Sequence, residues 1–305
     1  MNASFQTYLP VSVVIVNYNA GDLLRACVIE ALRQAVEVIV VDNASADNSL
    51  ALLEQALPAE PRLSIVRTGA NLGFAKGCNI GLARSTQSRV LFLNPDCVLS
   101  PGSLQRLLSV LDASPEVGMV GGLLMYPDGT EQGGGRRAVP TPWRSFVRAF
   151  GLVRFAKRWP RLFFDFHLHG QPLPAGPIEV EAISGALMLV RREALDDVGG
   201  WDEDYFLHCE DLDWCMRFNR KGWKILFVPD APVVHQQGAC SRSRPYFVEW
   251  HKHRGMVRFY RKFFREQYPG VLMWLVEAGV WLRFAVLAGV HSVRKVLGWL
   301  GLRRG

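Results

Sequence analysis

The sequence runs to 305 residues, 49% hydrophobic and 21% charged, with no low-complexity tract, an ordinary globular composition long enough for one large or two modest domains. A net charge of +7 favours polyanionic partners such as nucleic acid, an anionic membrane or phosphorylated substrates, unless the basic residues merely solvate the surface. Six cysteines with no CxxC pair and no zinc spacing read as reduced structural thiols.

Residues 1–10 lack the basic start of a signal peptide, and the apolar run 11–16 is too short for its hydrophobic region, so the chain is expected on the cytoplasmic side. That run, VSVVIV, reads as a buried parallel strand ending in Asn17-Tyr18-Asn19, followed by helical apolar spacing over residues 23–34. Residues 38–41 make a second strand ending in Asp42-Asn43. Asp47 and Asn48 are N-cap candidates for a helix to about Leu57. A weaker strand at 63–66 and a helix at 74–83 lead to residues 90–97, VLFLNPDC.

In that octapeptide four apolar residues form a strand that Pro95 ends, because proline cannot donate to a sheet ladder. It delivers Asn94 and Asp96 to a sheet edge, where they could meet a metal or a phosphate; alternatively Asp96 caps the helix beginning near Pro101 or stabilises a turn. Strand and helix alternate with short connections, the signature of a doubly wound sheet. In such a sheet parallel strand ends share one edge. Asn17, Asp42 and Asn94/Asp96 therefore converge on a ligand site. The first turn, NYNAGD, has no GxGxxG, and no GxxxxGK[ST] loop occurs, so phosphate would be neutralised by a metal or by basic side chains. Asn71, Gly73, Gly77 and Asn79 could give close backbone approach and amide recognition, or simply a glycine-punctuated turn into a helix.

An apolar run at 117–125 ends in the turn Tyr126-Pro127-Asp128-Gly129. Between residues 136 and 161, eight Arg and Lys residues from Arg136 to Arg161 interleave with Trp143, Phe146, Phe150, Phe155 and Trp159, without an acid. The mixture suits a membrane surface or lipid phosphate; single-stranded nucleic acid or an amphipathic flap are the alternatives. Residues 180–190 are the next strand candidate, with Gly185 allowing close approach. A short helix at 192–198 follows, and Glu210-Asp211-Leu212-Asp213 opens a helix to about Lys221. Acids there are often only dipole partners, which accounts for Asp213 but not for Glu210 and Asp211. Residues 225–228 form a last core strand, ending in Pro229-Asp230, with His235 in the loop beyond.

With NYN, VDNAS, NLGFAKGCN, FLNPD, SGALMLVRREA, GGWDEDYFLHCEDLDWCMR and VPDAPVVH in this order, the sequence resembles the inverting family 2 glycosyltransferases, most closely rhamnosyltransferase-type members, over residues 11–260. The resemblance implies a GT-A fold: α/β, doubly wound, a mostly parallel sheet flanked by helices. Residues 1–125 would bind the nucleotide sugar and 126–245 the acceptor, with 136–177 as a basic-aromatic insert. It implies that Asn17, Asp42, Asn71 and Asn79 serve the nucleoside and that Asp96 is the metal carboxylate of a DxD-type site in which Asn94 replaces the first Asp. It further implies that His235 completes the shell around Mg²⁺ or Mn²⁺, that Asp211 is the catalytic base, and that Gly185, Trp201, Asp202 and Glu210 lie where the acceptor is held. The donor would be a dTDP- or UDP-sugar, with rhamnose suggested by the subgroup, the acceptor a saccharide or lipid-linked saccharide of cell-surface polysaccharide synthesis, and nucleic acid no partner. A catalytically silent sugar-nucleotide or membrane-binding protein on the same fold is the alternative.

Residues 246–305 carry the C-terminal helices. From 271 to 300 the chain is apolar but interrupted by Glu277, Arg283, His291, Arg294 and Lys295, so no uncharged run reaches the ~20 residues that span a bilayer. At about 100° per residue these five fall within an arc of roughly 120°, leaving a broad apolar face with Trp274, Trp281 and Trp299. This is the pattern of an interfacial helix, reinforced by Arg303 and Arg304, and predicts peripheral attachment to the inner face of the cell membrane. Packing on the domain, or on a second copy in a homo-oligomer, is the alternative.

Overall fold

A computed structural model of the chain describes residues 8–236, 238 and 244–299; Cys240, Arg303 and Arg304 lie outside them. The chain opens with β1 (Leu9–Asn17), α1 (Asp22–Leu32), β2 (Ala35–Asp42), α2 (Ser49–Ala56), β3 (Leu63–Arg67), α3 (Phe74–Leu82) and β4 (Arg89–Leu93), each where its apolar period places it. It continues through β5 (Cys97–Leu99), α4 (Ser103–Asp112), β6 (Val117–Met125), β7 (Arg136–Arg137) and α5 (Pro142–Ala149). Then come β8 (Ile178–Glu179), β9 (Ala182–Ile183), β10 (Leu187–Arg191), α6 (Arg192–Val198), α7 (Glu210–Arg220), β11 (Lys224–His235), α8 (Pro245–Phe264) and α9 (Val271–Trp299). The chain divides into two compact units, one from Met1–Val139, Phe166–Asp204 and Glu210–Cys240, the other from Pro140–Asp165, Tyr205–Cys209 and Ser241–Gly305.

In the first unit the described strands form a mixed sheet in the order β3-β2-β1-β4-β10-β6-β11-β5, with β8 paired to β11. β1, β2, β3 and β4 are parallel, with Asn17 opposite Asp42 and Ile15 opposite Leu93. Their carboxyl ends therefore share one edge, as the sequence predicts. β1 is buried almost throughout, which explains why it reads as an unbroken apolar run. α3 lies very close against it: a Cβ at Gly77 would stand 2.7 Å from Val16 Cγ1, and one at Gly81 2.3 Å from Val14 Cγ1. Only glycine allows that approach.

Three expectations are corrected. The 180–190 run is not one strand, because the chain turns at residues 184–186, where Leu187 N–H donates to Ser184 O, before β10 runs antiparallel between β4 and β6. The loop after Pro95 immediately forms β5, and α4 begins only at Ser103, so Asp96 is not its cap. His235 is not in a loop. β11 passes Pro229 through a register shift between Val228 and Pro232 and continues to His235, opposite Cys97. The shift absorbs what looks like a strand terminator. The described cysteines Cys27, Cys78, Cys97 and Cys215 are buried free thiols, as composition suggests, and Cys209 is buried.

In the second unit α8 and α9 pack along each other. Arg261 pairs with Glu277, Tyr246 Oη meets Ser292 Oγ at 3.0 Å, and Trp250 packs on Trp281 with ring centroids 5.0 Å apart. Glu277, on the polar arc of α9, thus turns towards α8, whereas Trp274, Leu275, Leu282 and Val286 are exposed. α9 is long and apolar enough to cross a membrane by length and composition, despite its interrupting charges.

Candidate active site

At the shared edge, the end of β1 is fastened to the end of β2. Asn17 Nδ2 donates to Asp42 Oδ1 (2.8 Å) and to the hydroxyls of Ser45 (3.0 Å) and Ser49 (2.9 Å), while Asp42 Oδ2 accepts from Ser45 N–H at 3.2 Å. The buried Asn17 Oδ1 is left without a partner. Asn71 Oδ1 accepts from Gly73 N–H (3.1 Å) and so shapes the turn into α3; Asn43 Nδ2 donates to Gly73 O at 2.9 Å. Asn79 ties α3 to a distant loop: its amide donates to Trp201 O and to Glu203 Oε1, both at 2.9 Å, and accepts from Trp201 N–H at 2.9 Å.

One strand over, Asn94 N–H donates to Ala186 O (3.0 Å), and its side chain has no hydrogen-bond partner among the described residues. Asp96 is buried, with Oδ1 3.2 Å from Nε2 of the buried His235. His235 Nδ1 lies 2.8 Å from Gln132 Oε1, and Gln132 Nε2 donates to His235 O at 2.6 Å. Cys97 Sγ is near enough to complete an Asp96–Cys97–His235 cluster, but a soft sulfur ligand suits neither Mg²⁺ nor Mn²⁺. The donors suited to a cation here are therefore a carboxylate oxygen and an imidazole nitrogen, which fit Mg²⁺ or Mn²⁺ completed by substrate oxygens.

Asp211 occupies the first turn of α7. The buried face of that helix, with Trp214 and Phe218, packs in an aromatic cluster with Phe92 and Trp201, whose own ring is buried with its Nε1 unpartnered. Arg217 fixes the preceding segment by reaching Gly200 O (2.8 Å) while paired to Asp213. The Asp211 carboxylate is oriented on both oxygens: Oδ1 accepts from Leu212 N–H (2.8 Å), and Oδ2 from Gly185 N–H (3.2 Å) and Arg137 Nη2. Gly185 is close enough that an added Cβ would stand 3.2 Å from Asp211 Cβ, so its absence of a side chain is used here. Glu210 beside it is buried with Oε2 unpartnered; burial first, then the Asp211 charge, pushes its carboxyl up to about 8. Asp202 sits in the loop after Trp201, where Oδ1 accepts from Asp204 N–H.

One turn joins the two centres. Gly185 N–H donates to Asp211 while the next residue, Ala186, accepts from the backbone N–H of Asn94, two residues before Asp96.

The family description that matches residues 12–199, more than half of the chain, is "Glycosyl transferase family 2". The chain belongs to this family. It is a glycosyltransferase similar to rhamnosyltransferases: an N-acetylglucosaminyl-diphospho-decaprenol L-rhamnosyltransferase of Mycobacterium tuberculosis is 30% identical over 247 residues, covering 76% of this chain and 78% of that one. Rhamnosyltransferase WbbL of Escherichia coli K12 is 24% identical, covering 76% and 86%. Among solved structures, GalNAc-T7 with UDP, GalNAc and Mn²⁺ matches with a TM-score of 0.60 at 17% identity, over 84% of this chain and 48% of that one. A Pyrobaculum calidifontis mannosyltransferase in complex with GDP-Man and Mn²⁺ matches with a TM-score of 0.56 at 19% identity, over 98% and 82%. These place the glycosyltransferase in the GT-A fold.

Three residues at the glycosyltransferase's edge have partners that the sequence reading does not give. Gln132 sits in a glycine-rich turn with no motif around it. Arg136 and Arg137 read as part of the basic stretch, yet Arg136 is buried on Glu131 and Arg137 is paired to Asp211. The exposed part of that stretch belongs to the second unit, where Trp143, Phe146 and Phe150 stand out and Arg148 pairs with Asp165.

Proposed function

We propose that the protein transfers a sugar, with L-rhamnose the leading candidate, from a dTDP- or UDP-linked donor to a lipid-linked saccharide, with inversion, in the assembly of a cell-surface polysaccharide. The observation that carries this reading is the turn at residues 184–186, which bonds to Asp211 through Gly185 and to the backbone of Asn94, two residues before the Asp96 that faces His235. Asn17, Asp42, Asn71 and Asn94 line the donor side, with Asn79 acting through the loop it holds. Asp96 and His235 would hold the divalent cation, whose bound charge offsets that developing on the leaving diphosphate. Asp211 takes the proton of an acceptor hydroxyl as that oxygen bonds to the anomeric carbon. The bond from the same carbon to the diphosphate oxygen breaks on the opposite face. Oδ1, with the Leu212 N–H as its one donor, keeps a lone pair for that proton, whereas Oδ2 already accepts from both Gly185 and Arg137. Residues 1–125 thus serve the donor and 126–245 the acceptor, where Gly185, Trp201, Asp202 and Glu210 shape the approach. The name of the mycobacterial relative supports both the rhamnosyl donor and a polyprenyl-diphosphate acceptor.

A lipid-linked acceptor calls for access to a bilayer. α9, with its outward apolar residues, and the exposed aromatic-basic segment around α5 would hold the enzyme peripherally on the cytoplasmic leaflet. A thermal-shift screen of nucleoside diphosphates and their sugars, with and without Mn²⁺, tests the donor: a rise confined to dTDP or UDP compounds and enlarged by Mn²⁺ is expected. No rise with any of them contradicts the reading. Truncation after Tyr268 should move the protein to the soluble fraction; retention on membranes would remove α9 as the anchor.

A further inference from the structure

Gln132 has no part in the proposed reaction, yet its polar side chain is buried in the first unit. It is rigidly mounted. Its backbone N–H donates to Leu124 O at 2.9 Å, and next to it Glu131 makes a two-point pair with the buried Arg136, at 2.7 and 3.0 Å. Arg136 in turn donates to Gln171 O at 2.8 Å.

The orientation of the Gln132 amide is decided by its neighbours. A backbone carbonyl can only accept, and Gln132 Nε2 lies 2.6 Å from His235 O, so the NH₂ end faces that carbonyl. Oε1 then faces His235 Nδ1 at 2.8 Å, where an acceptor requires the ring nitrogen to carry the proton. A neutral imidazole protonated on Nδ1 has its lone pair on Nε2, and Nε2 points at Asp96 Oδ1 from 3.2 Å. Two electron-rich atoms, both buried, face each other. Something positive has to lie between them: a proton on Nε2, or a metal ion in its place. Histidine ligands to metals usually donate their second N–H to an acceptor that fixes tautomer and ring angle, and loss of that acceptor typically costs about 10–100-fold in metal affinity.

We propose that Gln132 is a positioning residue that sets the tautomer of His235 and aims Nε2 at a divalent cation shared with Asp96. This rests on the reading of Asp96 and His235 as the cation site. The test is Mn²⁺ binding to the full chain in the presence of UDP, followed by electron paramagnetic resonance, for wild type, Asp96→Ala, Gln132→Leu and Gln132→Glu. Gln132→Leu should weaken Mn²⁺ about 10–100-fold, whereas Gln132→Glu, which keeps an acceptor for Nδ1–H but loses the donor to His235 O, should recover part of that loss; a general packing role would give no such recovery. If Asp96→Ala weakens Mn²⁺ but Gln132→Leu does not, the proposal fails and the cation site stands. If Asp96→Ala binds Mn²⁺ like wild type, the cation site fails and takes the proposal with it. A wild-type measurement stands independent of variant folding: nitrogen-15 correlation spectra of the Mg²⁺–UDP complex should show the His235 proton on Nδ1. A proton on Nε2 with bare Nδ1 would overturn the assignment.

Discussion

The two carboxylates of the site are held in opposite ways. Asp96 follows a strand and faces an imidazole nitrogen at 3.2 Å, with no other hydrogen-bond donor to its carboxylate among the described residues; Asp211 opens a helix and receives two backbone N–H groups and an arginine. The difference is what the two proposed roles would require. A carboxylate that shares a cation needs a second electron-rich atom beside it. One that takes a proton from a substrate needs donors that fix its direction and a remaining free lone pair. Strand ends and helix starts supply these two surroundings, and the turn at residues 184–186 brings them together.

The largest expected effect separates them by kinetics. Asp211→Asn keeps the shape but loses the base, so turnover should fall about 10²–10⁴-fold while the thermal shift from donor and Mn²⁺ survives. Near-normal turnover would break the comparison. Asp96→Ala should do the reverse on binding, weakening Mn²⁺-dependent donor binding; a metal titration identical to wild type would refute its role.

A smaller effect sharpens the comparison at Glu210. Its folded carboxyl is raised to about 8 from an ordinary value near 4.5. Between those values the folded state binds the proton that the unfolded state has released, so stability falls as pH rises through this window. Glu210→Gln removes that dependence. Its melting temperature should match wild type near pH 4.5 and exceed it by several degrees at pH 8; equal differences at both pH values would contradict the assignment.

The polar edge is legible in the sequence because its physics is local. A buried parallel strand is an unbroken apolar run, its end is where polarity returns, and parallel neighbours put those ends side by side, which places Asn17, Asp42 and Asn94 without further information. The role proposed for Asp211 comes only from the family resemblance, since helix-start acids look alike. His235 was misplaced because Pro229 and Pro232 imitate a strand end while the register shift lets β11 go on. Gln132 and Arg137 were missed because their roles depend on partners about 100 and 74 residues away, and in sequence they are one residue of a glycine-rich turn and one of a basic run.

The central claim is that a cation held by the end of one strand faces a base at the start of a distant helix across a sugar donor. Crystals grown with Mn²⁺ and a nucleoside diphosphate sugar, measured at the manganese absorption edge, test it most directly. The account predicts one anomalous peak within coordination distance of Asp96 and His235, bound to the diphosphate, with the Asp211 carboxylate on the side of the anomeric carbon opposite the leaving oxygen. A diphosphate bound without manganese at those two residues, or a sugar whose far face meets some other group, would contradict it.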